Sequence, residues 1–349
     1  MSKTVSLLID GEWNLKRNYI EREKLFAAGE FCGGSYGFID SLRSVMNKTM
    51  PDRVVVFWDG DMAGIMRKRI YPLYKANRNK SWDEDSYIWT DDLINEEKKR
   101  KHSILQQKIK VKNYLEEFFV RQIEVKEIEA DDLIALYVKE KKEDEEIIIF
   151  SSDKDYLTII EDKVSVLVPS DGMLVNKATF NGTRGYIHEN YLLIRCFEGD
   201  KSDNISGVEG VGMKRLLEIF PNMKNEVYTI NRVIEEANDL LVNGKTGKTI
   251  KRIAESKKIV ERNYDLMNLK SPFINQIATD ELKEIRDCVL IDSEDDNSRS
   301  INNAMNMLVK DGYVNLLYNG DVQLFVRPFY RLMNKEKEYY RKMANENNN

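Results

Sequence analysis

Three short runs of apolar, largely β-branched residues set the frame of this chain: Val5 to Ile9, Val54 to Trp58 and Ile147 to Phe150. Each is continuous rather than alternating, the pattern of strands covered on both faces, as in a parallel sheet flanked by helices. Helical stretches at Gly37 to Met46 and Ala130 to Lys142 fall between them, and Val164 to Val168 adds a fourth strand candidate. The first half therefore reads as α/β, with a central, mostly parallel sheet. At 349 residues and 42% hydrophobic content the chain can bury a substantial core, which excludes a disordered or fibrous protein. No run approaches the roughly 20 apolar residues of a membrane span, and no cleavable leader is expected at the start. The three cysteines, Cys32, Cys196 and Cys288, are odd in number and widely spaced. They suit a reducing, cytoplasmic setting better than a disulfide framework.

Each run ends in acids: Asp10-Gly11, Asp59-Gly60, and Ser151-Ser152-Asp153-Lys154-Asp155. Ligands of open α/β sheets bind beyond the carboxyl ends of the strands, so three strands are expected to deliver carboxylates to one edge. Two further groups join them, Glu129, Asp131 and Asp132 in EIEADD and Asp200 and Asp203 in GDKSDN. Carboxylate oxygens suit hard cations such as Mg²⁺ or Mn²⁺. Zinc would call for histidine and cysteine, and the two histidines, His102 and His188, are not at ligand spacing. Taken singly, each acid has an ordinary alternative: a turn for Asp10 or Asp59, complement to a helix dipole for Asp131 and Asp132, a cap for Asp200 or Asp203. Taken together, their repulsion would cost several kcal/mol unless cations offset it. Two divalent ions about 4 Å apart could then activate water and stabilise the leaving oxygen of a displacement at phosphorus. The net charge of −5 does not by itself exclude a nucleic-acid partner, because acids gathered at one site leave room for a basic face elsewhere.

From Asn190 onward the pattern turns helical, with amphipathic stretches at Lys214 to Phe220, Asn231 to Leu241 and Ser256 to Leu269 and a Gly-rich segment from Gly199 to Gly212. The expected organisation is a core over 1–189, a mostly helical region over 190–278, which the family resemblance given below implies is a DNA-binding helix-hairpin-helix region, and a C-terminal part over 279–349 whose role the sequence does not assign and whose final residues fray.

The motifs LLIDG (7–11), VFWDG (56–60), YPLYKANR (71–78), EADD (129–132), SSDKD (151–155) and GDKSDNISGVEGVGMK (199–214) resemble those of the structure-specific 5′-nucleases, the flap endonucleases and 5′→3′ exonucleases, most closely the bacteriophage replication type. They occur in family order over about the first 220 residues. The resemblance implies a PIN-like nuclease core and a helix-hairpin-helix region. It implies a two-metal site in which Asp10, Asp59, Glu129, Asp131, Asp132 and Asp153 mainly serve one ion, and Asp153, Asp155, Asp200 and Asp203 the other. The cofactor would be Mg²⁺, with Mn²⁺ as an alternative.

It further implies that Lys75 and Arg78 act on the scissile phosphate and that Tyr74 lies against DNA. The segment 79–112, with Trp82, Tyr87 and Trp89 and the cations Lys98, Lys99, Arg100 and Lys101, would form a helical arch around a single-stranded 5′ end. Gly207, Gly210, Gly212 and Lys214 would hold duplex backbone, with K⁺ at that hairpin. The stretch after Asp10, EWNLKRNYI, departs from the small and apolar residues of the family, which leaves Arg17 as the one DNA contact carried over there. The expected activity is cleavage of 5′ flaps, nicks or RNA primers during DNA replication, by a monomer in the cytoplasm, that of the host if phage-encoded, with a single-strand-binding or other replication protein as partner. Two other readings remain open at this stage: an RNase of PIN-like architecture, and a branched-DNA-binding factor without activity.

Overall fold

The computed structural model describes residues 4–78, 91–170, 172–245, 247–288, 290, 299–317 and 320–347. In chain order the elements are β1 (Thr4–Asp10), α1 (Gly11–Glu21), β2 (Phe26–Ala27), β3 (Glu30–Phe31), α2 (Gly33–Thr49), β4 (Arg53–Asp59), α3 (Ile65–Ile70), α4 (Asp91–Glu117), β5 (Arg121–Val125), α5 (Ala130–Lys139), β6 (Glu145–Phe150), β7 (Val164–Leu167), β8 (Leu174–Val175), α6 (Lys177–Arg184), α7 (Tyr191–Glu198), β9 (Gly199–Asp200), β10 (Ile205–Ser206), α8 (Met213–Ile219), α9 (Ile230–Val242), α10 (Lys248–Ala254), α11 (Lys257–Met267), α12 (Gln276–Asp287), α13 (Ile301–Lys310) and α14 (Val322–Asn347). They divide between two compact units, one made of Met1–Asp61, Trp89–Ser151 and Ile274–Asn349, the other of Met62–Ile88 and Ser152–Phe273. No described helix is long and apolar enough to cross a membrane.

In the first unit the strands lie in the order β5-β4-β1-β6 and all pair in parallel. Leu8 sits opposite Val55 on one side and Ile149 on the other, so the three apolar runs read from the sequence are adjacent strands in register. Leu7, Leu8, Ile9, Val54, Val55, Val56, Phe57, Trp58, Ile147 and Ile149 are fully buried, which is why these strands lack alternation. Chain order runs from β1 to β4 and β5 on one side and returns to β6 on the other, so β1 borders the switch point where such sheets place their ligands. β5 lacks an apolar run: in RQIEV only Ile123 and Val125 are apolar, and Arg121 takes an inward position through its pair with Glu336.

The C-terminal helices α12, α13 and α14 belong to this same unit. Phe329 of α14 stacks on Phe118 with ring centroids 3.8 Å apart. Arg121 of β5 forms a buried two-pronged pair with Glu336 of α14 and donates to the half-buried carbonyls of Ile285 and Cys288. Such a pair is strongly destabilising to break, because either partner alone leaves an uncompensated buried charge.

The second unit is mainly helical, with two small antiparallel pairs, β7–β8 and β9–β10. The latter sets Asp200 opposite Ile205, closing the loop that carries Asp203. Asn263 of α11 donates to the carbonyls of Cys196 and Ser206, fixing α11 to the end of α7 and to β10. Buried Asn190 ties the chain before α7 to later backbone, donating to Met223 and Glu226 and accepting from the Tyr228 amide.

Gly60 shows how tightly the end of β4 is held. Its amide donates to Ile128 O, and a Cβ added to it would lie 1.7 Å from Val125 O. The glycine there permits close backbone approach rather than a free turn. Gly60→Ala is expected to destabilise the protein by about 1–3 kcal/mol, measured as a lower urea midpoint; an unchanged midpoint would refute this account of the β4 end.

Candidate active site

The first group of acids is built by the parallel sheet and by α5. Asp10 ends β1 and is the N-cap of α1, its Oδ1 accepting from the Trp13 amide at 3.0 Å. Gly11 follows because a side chain there would enter Trp58 and the Phe57 carbonyl. Asp59 ends the neighbouring β4, and its Oδ1 accepts the Ala130 amide at 2.9 Å, holding the start of α5 against this strand end. Glu129 caps that helix, and Asp131 and Asp132 occupy its first turn, where the helix dipole favours anions. Carboxylate oxygens of Glu129, Asp131 and Asp132 all lie within 4.8 Å of one another, although Glu129 and Asp132 are buried. The donor set is hard oxygen alone, which fits a divalent cation of the Mg²⁺ or Mn²⁺ type.

The second group lies in the second unit, on the segment after β6 and on the β9–β10 loop. Asp153 Oδ1 accepts the Asp155 amide at 2.9 Å, and Asp200 Oδ1 accepts from the Ser202 amide and hydroxyl. Arg195 of α7 donates one nitrogen to both Asp155 (2.7 Å) and Asp200 (2.5 Å). Asp203 is held from the other direction by Arg78 (2.6 Å), Lys75 (3.9 Å) and the Tyr74 hydroxyl (3.1 Å). The Lys75 amide bonds Asp203 O, and Lys75 adopts φ 55°, a left-handed conformation uncommon for a side-chain-bearing residue. Asn77 donates to Lys201 O and Asn204 to Leu73 O, so YKANR and GDKSDN form one locked pair of loops. Burial and the charge of Asp153 push the Asp155 carboxyl up to about 7, against the pull of Arg195. Asp200, despite its burial, is held below the usual range by Ser202 and Arg195.

Two residues expected to touch DNA are placed otherwise. Tyr74 is buried among Ile205, Leu266 and Met267, so its ring cannot stack on a base; its hydroxyl serves Asp203 instead. Arg17 is spent internally, donating to Ser41, pairing with Glu21 and lying over the rings of Trp13 and Phe150. Lys98, Lys99, Arg100 and Lys101 sit exposed on α4, whereas Lys108 and Lys112 lower on that helix pair with Glu12 and Glu124, and Lys110 pairs with Asp311. Trp82, Tyr87 and Trp89 lie outside the described residues. In the hairpin, Gly207 passes within close range of the Glu198 and Phe197 carbonyls, Gly210 takes φ 74°, Gly212 caps α8, and Lys214 stands exposed in its first turn.

Residues 5–186 match the family described as 5′-3′ exonuclease, N-terminal resolvase-like domain. The chain belongs to the 5′-3′ exonuclease family. A relative named 5′-3′ exonuclease, from Buchnera aphidicola subsp. Schizaphis graminum, is 25% identical over 288 residues, 81% of this chain and 92% of that protein. The thermostable DNA polymerase I of Thermus filiformis is 29% identical over 231 residues, 65% of this chain but 25% of the polymerase. Among solved structures, bacteriophage T5 5′-exonuclease with bound divalent metal ions (zinc) aligns with a TM-score of 0.63 at 21% identity, covering 81% of this chain and 98% of that one. Bacteriophage T5 flap endonuclease in complex with DNA and metal ions aligns at 0.58 and 18% identity, covering 88% and 99%. At these identities the likeness to the T5 structures concerns the fold, which agrees with the sheet expected from the sequence.

Within this member of the family, Arg195 is the residue that sequence reading missed. It lies inside a helix, five residues before Asp200, and nothing in the local pattern marks it; only folding sets it between two acids. The raised Asp155 carboxyl has a consequence for stability. Between roughly pH 4 and pH 7 the folded protein keeps a proton that the unfolded chain has released, so this group's contribution to stability falls as pH rises through that window. Metal-free protein is expected to lose stability from this group between pH 5 and pH 8, and Arg195→Gln to widen the loss. Thermal melts in EDTA at both pH values check it; an Arg195→Gln gap no larger than that of the unsubstituted protein would refute the counter-charge role of Arg195.

Proposed function

We propose that this family member hydrolyses phosphodiester bonds at the 5′ ends, flaps and RNA primers of branched or nicked DNA during replication, with Mg²⁺ or Mn²⁺ as its cofactor in a two-metal mechanism. The observations that support it are the Glu129–Asp131–Asp132 cluster beside the strand-end acids Asp10 and Asp59, and, in the second unit, Asp155 and Asp200 sharing Arg195 with Asp203 held by Arg78. Asp10, Asp59, Glu129, Asp131 and Asp132 would hold one cation; Asp153, Asp155, Asp200 and Asp203 would hold the other. When bound, such ions supply an activated water and offset charge on the leaving oxygen.

The chain's own part is to place and neutralise the substrate. Lys75 and Arg78, kept in position by Asp203, are the groups to meet a scissile phosphate and stabilise the negative charge that develops on it. Hairpin residues Gly207, Gly210 and Gly212 and the exposed Lys214 are suited to duplex backbone, with K⁺ at the hairpin, because phosphate contacts position DNA without reading its bases. The exposed run Lys98 to Lys101 on α4 is suited to the phosphates of a single-stranded 5′ end.

Asp153→Asn is expected to abolish hydrolysis of a 5′-labelled flap in Mg²⁺ while leaving its binding in Ca²⁺ intact; a fully active variant would sink the proposal. For Lys75→Ala the single-turnover rate should fall by at least about a hundredfold with a much smaller change in affinity, as for loss of a group that acts on the transition state. The reverse pattern would move Lys75 from chemistry to binding. Preference for unstructured RNA over flap, nicked and RNA-primed duplexes would favour a PIN-like RNase instead.

A further inference from the structure

The acids of α5 stand at one end of a rod whose other end is gripped by the C-terminal part of the chain. Helix α5 is ten residues long, about 15 Å at 1.5 Å per residue. At its far end Arg286 of α12, itself only 4% exposed, donates to Tyr137 O at 2.6 Å and to Glu140 O. Its guanidinium lies 4.0 Å from the centre of the Tyr137 ring and 3.8 Å from a Glu145 oxygen. Glu145, buried at the start of β6, accepts from Ser6 of β1 (2.5 Å), from the Tyr137 hydroxyl (2.8 Å) and from the Lys142 amide (3.1 Å). One buried cluster thus joins the last turn of α5 to the beginnings of β1 and β6, at the opposite end of these elements from Asp10, Asp131 and Asp132. Arg121 and Glu336 fasten α12 and α14 to β5 in the same unit.

We infer that Arg286 is a positioning residue for the acids of α5, and that the C-terminal segment serves the nuclease by carrying it. A cation at a helix C-terminus satisfies carbonyls that have no partner within the helix and complements the dipole. A helix is stiff along its axis, so fixing the last turn fixes the depth at which Asp131 and Asp132 stand beside Asp59, which holds the first turn through the Ala130 amide. A small axial slip or rotation of α5 would spoil carboxylate geometry without touching any residue suited to binding DNA. The inference rests on the reading of the α5 acids as a cation site.

The test compares the full-length protein with Arg286→Met and Arg286→Lys in three measurements: Mn²⁺ binding by electron paramagnetic resonance, single-turnover flap cleavage, and flap affinity in Ca²⁺. Arg286→Met should bind Mn²⁺ about tenfold more weakly and cleave about tenfold more slowly, the size seen when partners behind metal ligands are removed. Flap affinity should be unchanged, and Arg286→Lys should recover part of both losses. Should Arg286→Met fail to fold, Arg286→Gln, which keeps one amide donor for the carbonyls, takes its place in the same measurements. A folded neutral variant with the Mn²⁺ affinity and rate of the unsubstituted protein would overturn the inference, as would an equal loss of flap affinity. Unsubstituted protein that binds no Mn²⁺ would end the parent reading of the acids instead, so the two failures are distinguishable.

Discussion

Carboxylates gathered close together repel one another, and much of the order in this protein exists to hold them where they would not otherwise stay. In the first unit the restraint is backbone: Trp13 and Ala130 amides bind Asp10 and Asp59, and the dipole of α5 receives Asp131 and Asp132. In the second unit amides and charge act together, with the Asp155 and Ser202 amides at Asp153 and Asp200, Arg195 shared by Asp155 and Asp200, and Arg78 and Lys75 gathered at Asp203.

The sheet supplies the frame for the first set. Parallel strands point every C-terminus the same way, so acids far apart in the chain share an edge without any long-range signal between them. The same geometry creates a second, quieter edge at the strand beginnings, where Ser6, Glu145, Tyr137 and Arg286 form a buried polar cluster. Buried groups of this kind are costly without partners, and here the partners come from four elements, with Arg286 Nε left unbonded. That is how a C-terminal helix with no recognisable motif becomes part of the nuclease unit.

The strands and their terminal acids were legible because burial on both faces writes a continuous apolar run, and an Asp-Gly pair ends it. The glycines were legible only as turns; their steric reason, Trp58 against Gly11 and Val125 O against Gly60, required neighbours distant in sequence. Tyr74 and Arg17 were read as DNA contacts from residue type, yet one is a core ring and the other a packed cation, since exposure is not written in a short motif. Lys98 to Lys101 were read as phosphate-tracking cations from residue type, and the fold adds what the run does not show: Lys101 pairs with Glu97, and further along α4 Lys108, Lys110 and Lys112 pair with Glu12, Glu124 and Asp311.

By itself the sequence determined the α/β class and the family, and it marked the acids to which the chemistry is assigned by proposal, because periodicity and short motifs depend on residues close together in the chain. Tertiary structure alone decided which acid is answered by amide and which by arginine, that Arg195 and Arg286 matter at all, and that residues 274–349 return to the unit containing β1. Those outcomes depend on contacts between residues far apart in the chain, such as Arg121 and Glu336, 215 positions apart, and Ser35 and Tyr313, 278 apart, and no local pattern records which side chains a folded chain will bring within hydrogen-bonding distance.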